Sequence, residues 1–190
     1  MQTQWPSPQS IGPRTRHRAA YSVPLAANLL PNGVWVGSLT ELEGTKGYWF
    51  IADEAFDFTY NAPNGLTRSE AKVLNTDVPL GFEYEQSTLQ SFYFIENIDD
   101  AEVGDWVIAY NDNVVVGARE WVGEYTDIPA MGDDGSDYTD GYMSPGNNPS
   151  FKVFDASSGE IFDATVDSQD SLAWSNNGFY LSLIHISEPT

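Results

Sequence analysis

Apolar and polar positions alternate along much of this chain with the period of β-strands. VWVGSL (34–39) and GYWFIA (47–52) are β-branched and aromatic runs, and FDFTY (56–60) alternates rings with polar residues. A period of two places every second side chain on one face, so these runs predict half-buried strands. Asn32-Gly33 and Gly44-Thr45-Lys46 bound them, residue types that accept turn geometry. The pattern then lapses. Residues 61–77 are polar, with Pro63-Asn64-Gly65 as a turn. SEAKVL (69–74) offers at most a single helical turn, and the stretch reads as a linker.

Order returns at residue 81. FEYEQS (82–87) alternates rings with polar residues, and SFYFIENI (91–98) is a strand-type run. DWVIAY (105–110) and VVVGAREWVGEY (114–125) flank Asn111-Asp112-Asn113 and predict a hairpin. FKVF (151–154) and residues 161–166 flank a second turn at 155–159. Strand signals recur roughly every 8–12 residues without a helical pattern between them. The expected fold is therefore mainly β: an antiparallel β-sandwich, Ig-like or jelly-roll-like, over 80–180. A partial β element over 21–62 and a linker over 63–79 precede it. Residues 1–20, with a different charge and pattern, read as a disordered or mistranslated lead-in. WVGSLTEL (35–42) echoes WVGEYTDI (121–128), and strand composition accounts for one such coincidence without a duplication.

Charge narrows the function. The formal net charge is −20. Arg14, Arg16 and Arg18 lie in the lead-in, so the body of the chain is more acidic still. Such a surface repels phosphate backbones and anionic lipid, which excludes nucleic acid as a partner. It admits divalent cations and neutral ligands such as glycans, and it keeps a secreted protein soluble. No apolar run approaches the ~18 residues of a membrane span, so no membrane insertion is expected. The N-terminal stretch lacks the apolar centre of a signal peptide. There is no cysteine, and no histidine between Arg18 and His185. That removes the commonest general base, the usual nucleophile–base pairs and the usual zinc ligands. His17 and His185 lie in doubtful ends and receive no role.

Two longer stretches carry a resemblance. VGDWVIAYNDNVVVGAREW (103–121) followed by DIPAMGDDGSDYTDGYMSPGNNPSFKVFDASSGEIFDA (127–164) resembles an uncharacterised module of large secreted bacterial proteins of marine lineages. WVGSLTELEGTKGYWFIA (35–52) is similar to a companion element of that module. Such modules occur near dockerins or type IX sorting tails. The resemblance implies a secreted β-sandwich with neighbouring domains of a longer parent chain as partners. It brings no catalytic residue. LSLIHISEPT (181–190) resembles the translated read-through of a sequencing adapter, so residues 181–190 are expected to be an artefact.

Candidate chemistry concentrates at 131–148. Asp133, Asp134, Asp137 and Asp140 lie among glycines and hydroxyls. Oxygen donors on a glycine-jointed loop suit Ca²⁺, and a cation would relieve the repulsion of four carboxylates. The spacing is not that of an EF-hand. The alternative is a solvated turn whose aspartates bond their own backbone. Tyr125, Tyr138, Tyr142 and Trp174 sit in or beside turns, where rings can stack on a sugar. Trp106, Tyr110, Trp121, Phe151 and Phe154 fall in strands and read as core. Paired carboxylates could hydrolyse a glycoside without histidine, but no spacing singles out a pair. Arg119, among many acids, reads as a structural ion-pair partner at a sheet edge. The expected function is a non-catalytic extracellular or cell-surface module, structural or binding. A calcium-dependent carbohydrate-binding domain is the alternative, and a fragment of a carboxylate-based glycosidase comes third.

Overall fold

A computed structural model describes residues 2–4, 17–22, 25–43, 47–52, 78–166 and 171–187, with side chains for 25–40, 42, 47–52, 78–166 and 171–181. The chain divides into two compact units, Met1–Thr76 and Asp77–Thr190. The expected strand at 56–60 and most of the 63–79 linker lie outside the described residues.

The described residues of the first unit hold six strands: β1 (Gln2–Gln4), β2 (His17–Ser22), β3 (Leu25–Leu29), β4 (Trp35–Val36), β5 (Glu41–Glu43) and β6 (Trp49–Ala52). β1 pairs with β5, and the others form an antiparallel sheet in the order β4-β3-β2-β6. β1 and most of β2 lie in the stretch read as a lead-in, and β3 lies within the expected 21–62 β element without a strand-type run of its own. LAANL does not alternate, because Ala26, Ala27 and Asn28 are all buried. The β3–β4 turn is the one that Asn32-Gly33 predicts. Gly33 sits at φ +85°, and the Asn32 side-chain oxygen accepts the Val34 N–H at 3.0 Å. The run at 34–39 is strand only at Trp35–Val36, since Gly37 at φ +111° turns the chain and Leu39 folds inward. Leu39 packs with Ala27 and Leu42 beneath Trp35, Tyr48 and Phe50.

The second unit holds β7 (Gln90–Ile98), β8 (Trp106–Asn111), β9 (Val114–Glu120), β10 (Thr126–Met131), β11 (Ser150–Phe154), β12 (Ile161–Val166) and β13 (Phe179–Ser187). They run β10-β7-β13-β12-β11-β8-β9 in one hydrogen-bonded series, antiparallel except for the parallel β13–β7 pair. The series folds over on itself as a mainly β, antiparallel sandwich. Tyr93, Ile95 and Ile128 from β7 and β10 pack in one core with Val107, Ala109, Val116, Phe151 and Val153 from β8, β9 and β11. Among the described residues there is no α-helix, only a 3-10 turn at Asp137–Thr139. No helix among the described residues is long and apolar enough to cross a membrane.

Both predicted hairpins form. Asp112 takes φ +52° in the β8–β9 turn. Asp155 binds the N–H groups of Ser157 and Ser158 at 2.7 and 3.1 Å in the β11–β12 turn, with Gly159 at φ +76°. FEYEQS is a correction. Its alternation fits a strand, yet residues 82–87 join no ladder. Phe82 is buried over Ile108 and Ala118 and meets the Phe154 ring at 5.4 Å, so the segment covers the outer face of β8, β9 and β11. Its backbone is served by side chains: Glu83 accepts the Gly81 N–H, and Tyr142 accepts the Glu85 N–H.

The two outer strands of the series, β9 and β10, meet without a ladder between them. Pro129 has no N–H to give. Gly117 makes the close approach possible, since a Cβ there would lie 2.7 Å from the carbonyl carbon of Pro129. The seam is joined by Arg119, whose Nε donates to the Asp127 carbonyl at 3.0 Å and whose Nη2 lies 3.3 Å from its carboxylate. The Asp127 side chain is fully buried and that of Arg119 is 12% exposed, which makes Arg119 the structural ion-pair partner that its position among acids suggests.

Candidate functional site in the loop between strands β10 and β11

Residues 132–149 leave the sandwich after β10 and return at β11. The excursion is pinched at its base. Gly132 donates to Leu89 O at 2.8 Å, Asp133 N–H to Met143 O at 2.9 Å, and Met143 N–H to Met131 O at 3.2 Å. Asn111 on β8 donates through Nδ2 to the carbonyls of Gly141 and Tyr142, at 3.0 and 3.2 Å.

Thr139, fully buried, organises the interior. Its hydroxyl accepts the Asp134 N–H at 3.3 Å. Its one proton has three acceptors within reach: Ser136 O at 3.0 Å, Asp134 Oδ1 at 3.2 Å and Asp133 Oδ1 at 3.3 Å. Asp133 Oδ1 also accepts the Gly135 N–H at 2.8 Å. Asp134 ties the loop to the chain leading into β7, accepting the N–H and hydroxyl of Thr88 at 3.1 and 3.0 Å, while its Oδ1 accepts the Ser136 N–H at 3.1 Å. These donors, the Thr88 N–H foremost, hold the Asp134 carboxyl well below the usual carboxylate range.

The four predicted aspartates therefore separate into two pairs. Asp133 and Asp134 each place an oxygen within reach of the Thr139 hydroxyl, Asp133 itself exposed and Asp134 half-buried, whereas the exposed Asp137 and Asp140 lie outside that arrangement. Among the described residues no group of three or more acidic or histidine side chains is arranged to hold a metal ion. Asp133 Oδ1 and both carboxylate oxygens of Asp134 already face N–H and O–H donors of the protein.

The four predicted aromatics are not brought together. Tyr142 and Trp174 require correction: their rings are 6% and 1% exposed and cannot stack on a ligand. Both lie at turns by sequence, but each has a large apolar face and one polar atom that finds a buried partner. Trp174 Nε1 donates to Ala130 O at 2.9 Å, and the Tyr142 hydroxyl accepts the Glu85 N–H at 2.7 Å. Tyr125, at φ +61°, sits at the far end of β10 and donates to Glu96 Oε1 at 3.2 Å. Tyr138 alone of the four presents its ring, 56% exposed on the 3-10 turn beside Asp137. Of the rings expected in the core, Trp121 and Phe151 are buried, and Trp106, Tyr110 and Phe154 are partly covered on the outer face.

Sequence reasoning misses the roles of Thr88 and Asn111, and it counts the Thr139 hydroxyl only as one of the loop's oxygens, not as its centre. Thr139 has a local signal, a hydroxyl four residues beyond the Asp133-Asp134-Gly135 turn. Thr88 and Asn111 act across a long separation and leave none. No protein family, curated protein or solved structure matches the chain.

Proposed function

We propose that the chain is a non-catalytic structural module of a larger secreted or cell-surface protein, its partners the neighbouring domains of the parent chain. The observation that carries this reading is the use of the loop's chemistry. Asp133 and Asp134 bind the loop's own N–H and O–H groups, and two of the four aromatic candidates, Tyr142 and Trp174, fill the core. Such a loop holds its shape without a ligand. The resemblance of residues 103–164 to modules of large secreted bacterial proteins supports the extracellular setting.

One observation favours a second reading, a carbohydrate-binding domain. Tyr138, Asp137 and Asp140 are exposed together on one short turn, a ring beside hydrogen-bond acceptors. A single experiment separates the two. The folded full chain is melted with Ca²⁺ and then EDTA, and screened on a glycan array. An unchanged melting curve and a silent array are expected of the structural module. A Ca²⁺-dependent rise reversed by EDTA, with glycan binding lost in Tyr138→Ala, would establish the second reading instead.

A further inference from the structure

The opposite end of the sandwich carries an apolar surface that the fold does not require. Three turns meet there: residues 99–105 between β7 and β8, 121–125 between β9 and β10, and 155–160 between β11 and β12. Gly104 N–H donates to Trp121 O at 3.1 Å, and Ala156 N–H to Asp105 Oδ1 at 3.1 Å, so the turns form one surface. Their structural roles fall to other residues. Asp105 and Trp121 are buried, and Gly104 and Gly123 supply φ of +107° and +110°. Val103 and Val122, each immediately before one of these glycines, are 74% and 61% exposed. Exposed turn tips are ordinarily polar, and a β-branched side chain contributes nothing to either turn. The apolar character continues onto the sheet. A row across three strands runs Trp106, Phe154, Ile161, the first two half-buried and Ile161 50% exposed.

The charge around this surface has one sign. Glu102 and Glu124 are exposed beside the valines, Glu120 faces Trp106, and Glu160 precedes Ile161. None of the three turns contains a lysine or arginine. An apolar patch with an acidic rim has the make-up of an interaction surface. Its complement is apolar at the centre and basic around it.

We propose that this end of the sandwich docks a basic segment of a partner protein, with Val103 and Val122 receiving its apolar side chains. The surface lies away from the β10–β11 loop, so this inference stands independently of the function proposed above.

The test uses the full chain and two labelled peptides of equal charge, one alternating lysine with valine, the other lysine with serine, followed by fluorescence anisotropy. The valine peptide is expected to bind at least about tenfold more tightly than the serine peptide, because burial of the apolar centre supplies the difference. Val103→Ser with Val122→Ser should reduce its affinity to that of the serine peptide at an unchanged melting temperature. Glu102→Gln with Glu124→Gln should weaken both peptides and flatten the salt dependence. Equal binding of the two peptides, no binding of either, or full affinity in the valine double variant would overturn the proposal.

Discussion

The indole of Trp174 lies against the backbone of Gly132, where a Cβ would stand 2.5 Å from Cζ2. The same tryptophan donates Nε1–H to Ala130 O, and its backbone N–H reaches Asn147 O at 2.7 Å. One side chain thus joins the end of β10 to the far side of the candidate loop. Trp174→Ala should cost about 3–5 kcal/mol, the usual range for removing a buried aromatic. Gly132→Ala should also destabilise, because the methyl group and the ring cannot share the space. Gly135→Ala, with open space around it but φ +85°, should cost only about 1 kcal/mol through backbone strain. Urea unfolding of the three variants gives the ranking.

The β9–β10 seam provides the second prediction. Arg119→Met leaves the Asp127 carboxylate buried beside an apolar side chain, and it should destabilise by about 3–5 kcal/mol. Adding Asp127→Asn should recover part of that loss, since the stranded charge is gone. Gly117→Ala should weaken the same seam by driving a methyl group into the Pro129 carbonyl. Equilibrium denaturation of the single and double variants measures the coupling.

Acid should unfold the second unit partly through two turn aspartates. Asp155 is drawn down from 3.8 to about 2 by Ser157 and Ser158, and Asp134 is drawn down by Thr88 and Ser136. A lowered folded-state value means that the charged form is favoured by folding. The contribution is complete above the unfolded value of 3.8 and is lost as pH falls, to about 2 for Asp155 and further still for Asp134. Stability measured against pH should fall across this window. Asp155→Asn and Asp134→Asn should each flatten the slope there.

Exposed residues of the loop should behave otherwise. Tyr138→Ala, Asp137→Asn and Asp140→Asn should each change stability by less than about 0.5 kcal/mol, because none supports the loop. Thr139→Val, which keeps the volume but removes the central hydroxyl, should cost about 1–3 kcal/mol by leaving the Asp134 N–H and its neighbours unpaired. Thermal melts of the four variants distinguish presented residues from supporting ones.

Much of the strand pattern was legible because it rests on local chemistry. Asn32-Gly33, Asp112-Asn113 and the Asp155–Gly159 segment adopt positive φ or bind their own backbone wherever they fall, and the turns appear where these residues predict them. The echo between 35–42 and 121–128 gains a physical basis. Gly37 and Gly123 take φ of +111° and +110°, and Leu42 and Ile128 are both buried. The likeness ends there, since Trp35–Val36 is a strand and Trp121 and Val122 join none. Illegible were segments whose role depends on what lies opposite. LAANL became a strand through its neighbours β2 and β4, and FEYEQS became a cover through Phe82.

The sequence by itself determined a β protein of acidic surface, with hairpins set by their turn residues and no histidine or cysteine chemistry in its body. These properties belong to each residue or to its nearest neighbours. Only the tertiary structure decided which aspartates are held and which are presented, and which aromatic rings are buried. Asp134 and Asp137 are chemically alike, but Thr88, far off along the chain, reaches only Asp134. Tyr138 and Tyr142 stand one turn apart, and only Tyr142 meets the backbone of Glu85. Burial and hydrogen bonding are long-range facts, fixed by strand order and packing, and no local pattern can encode them.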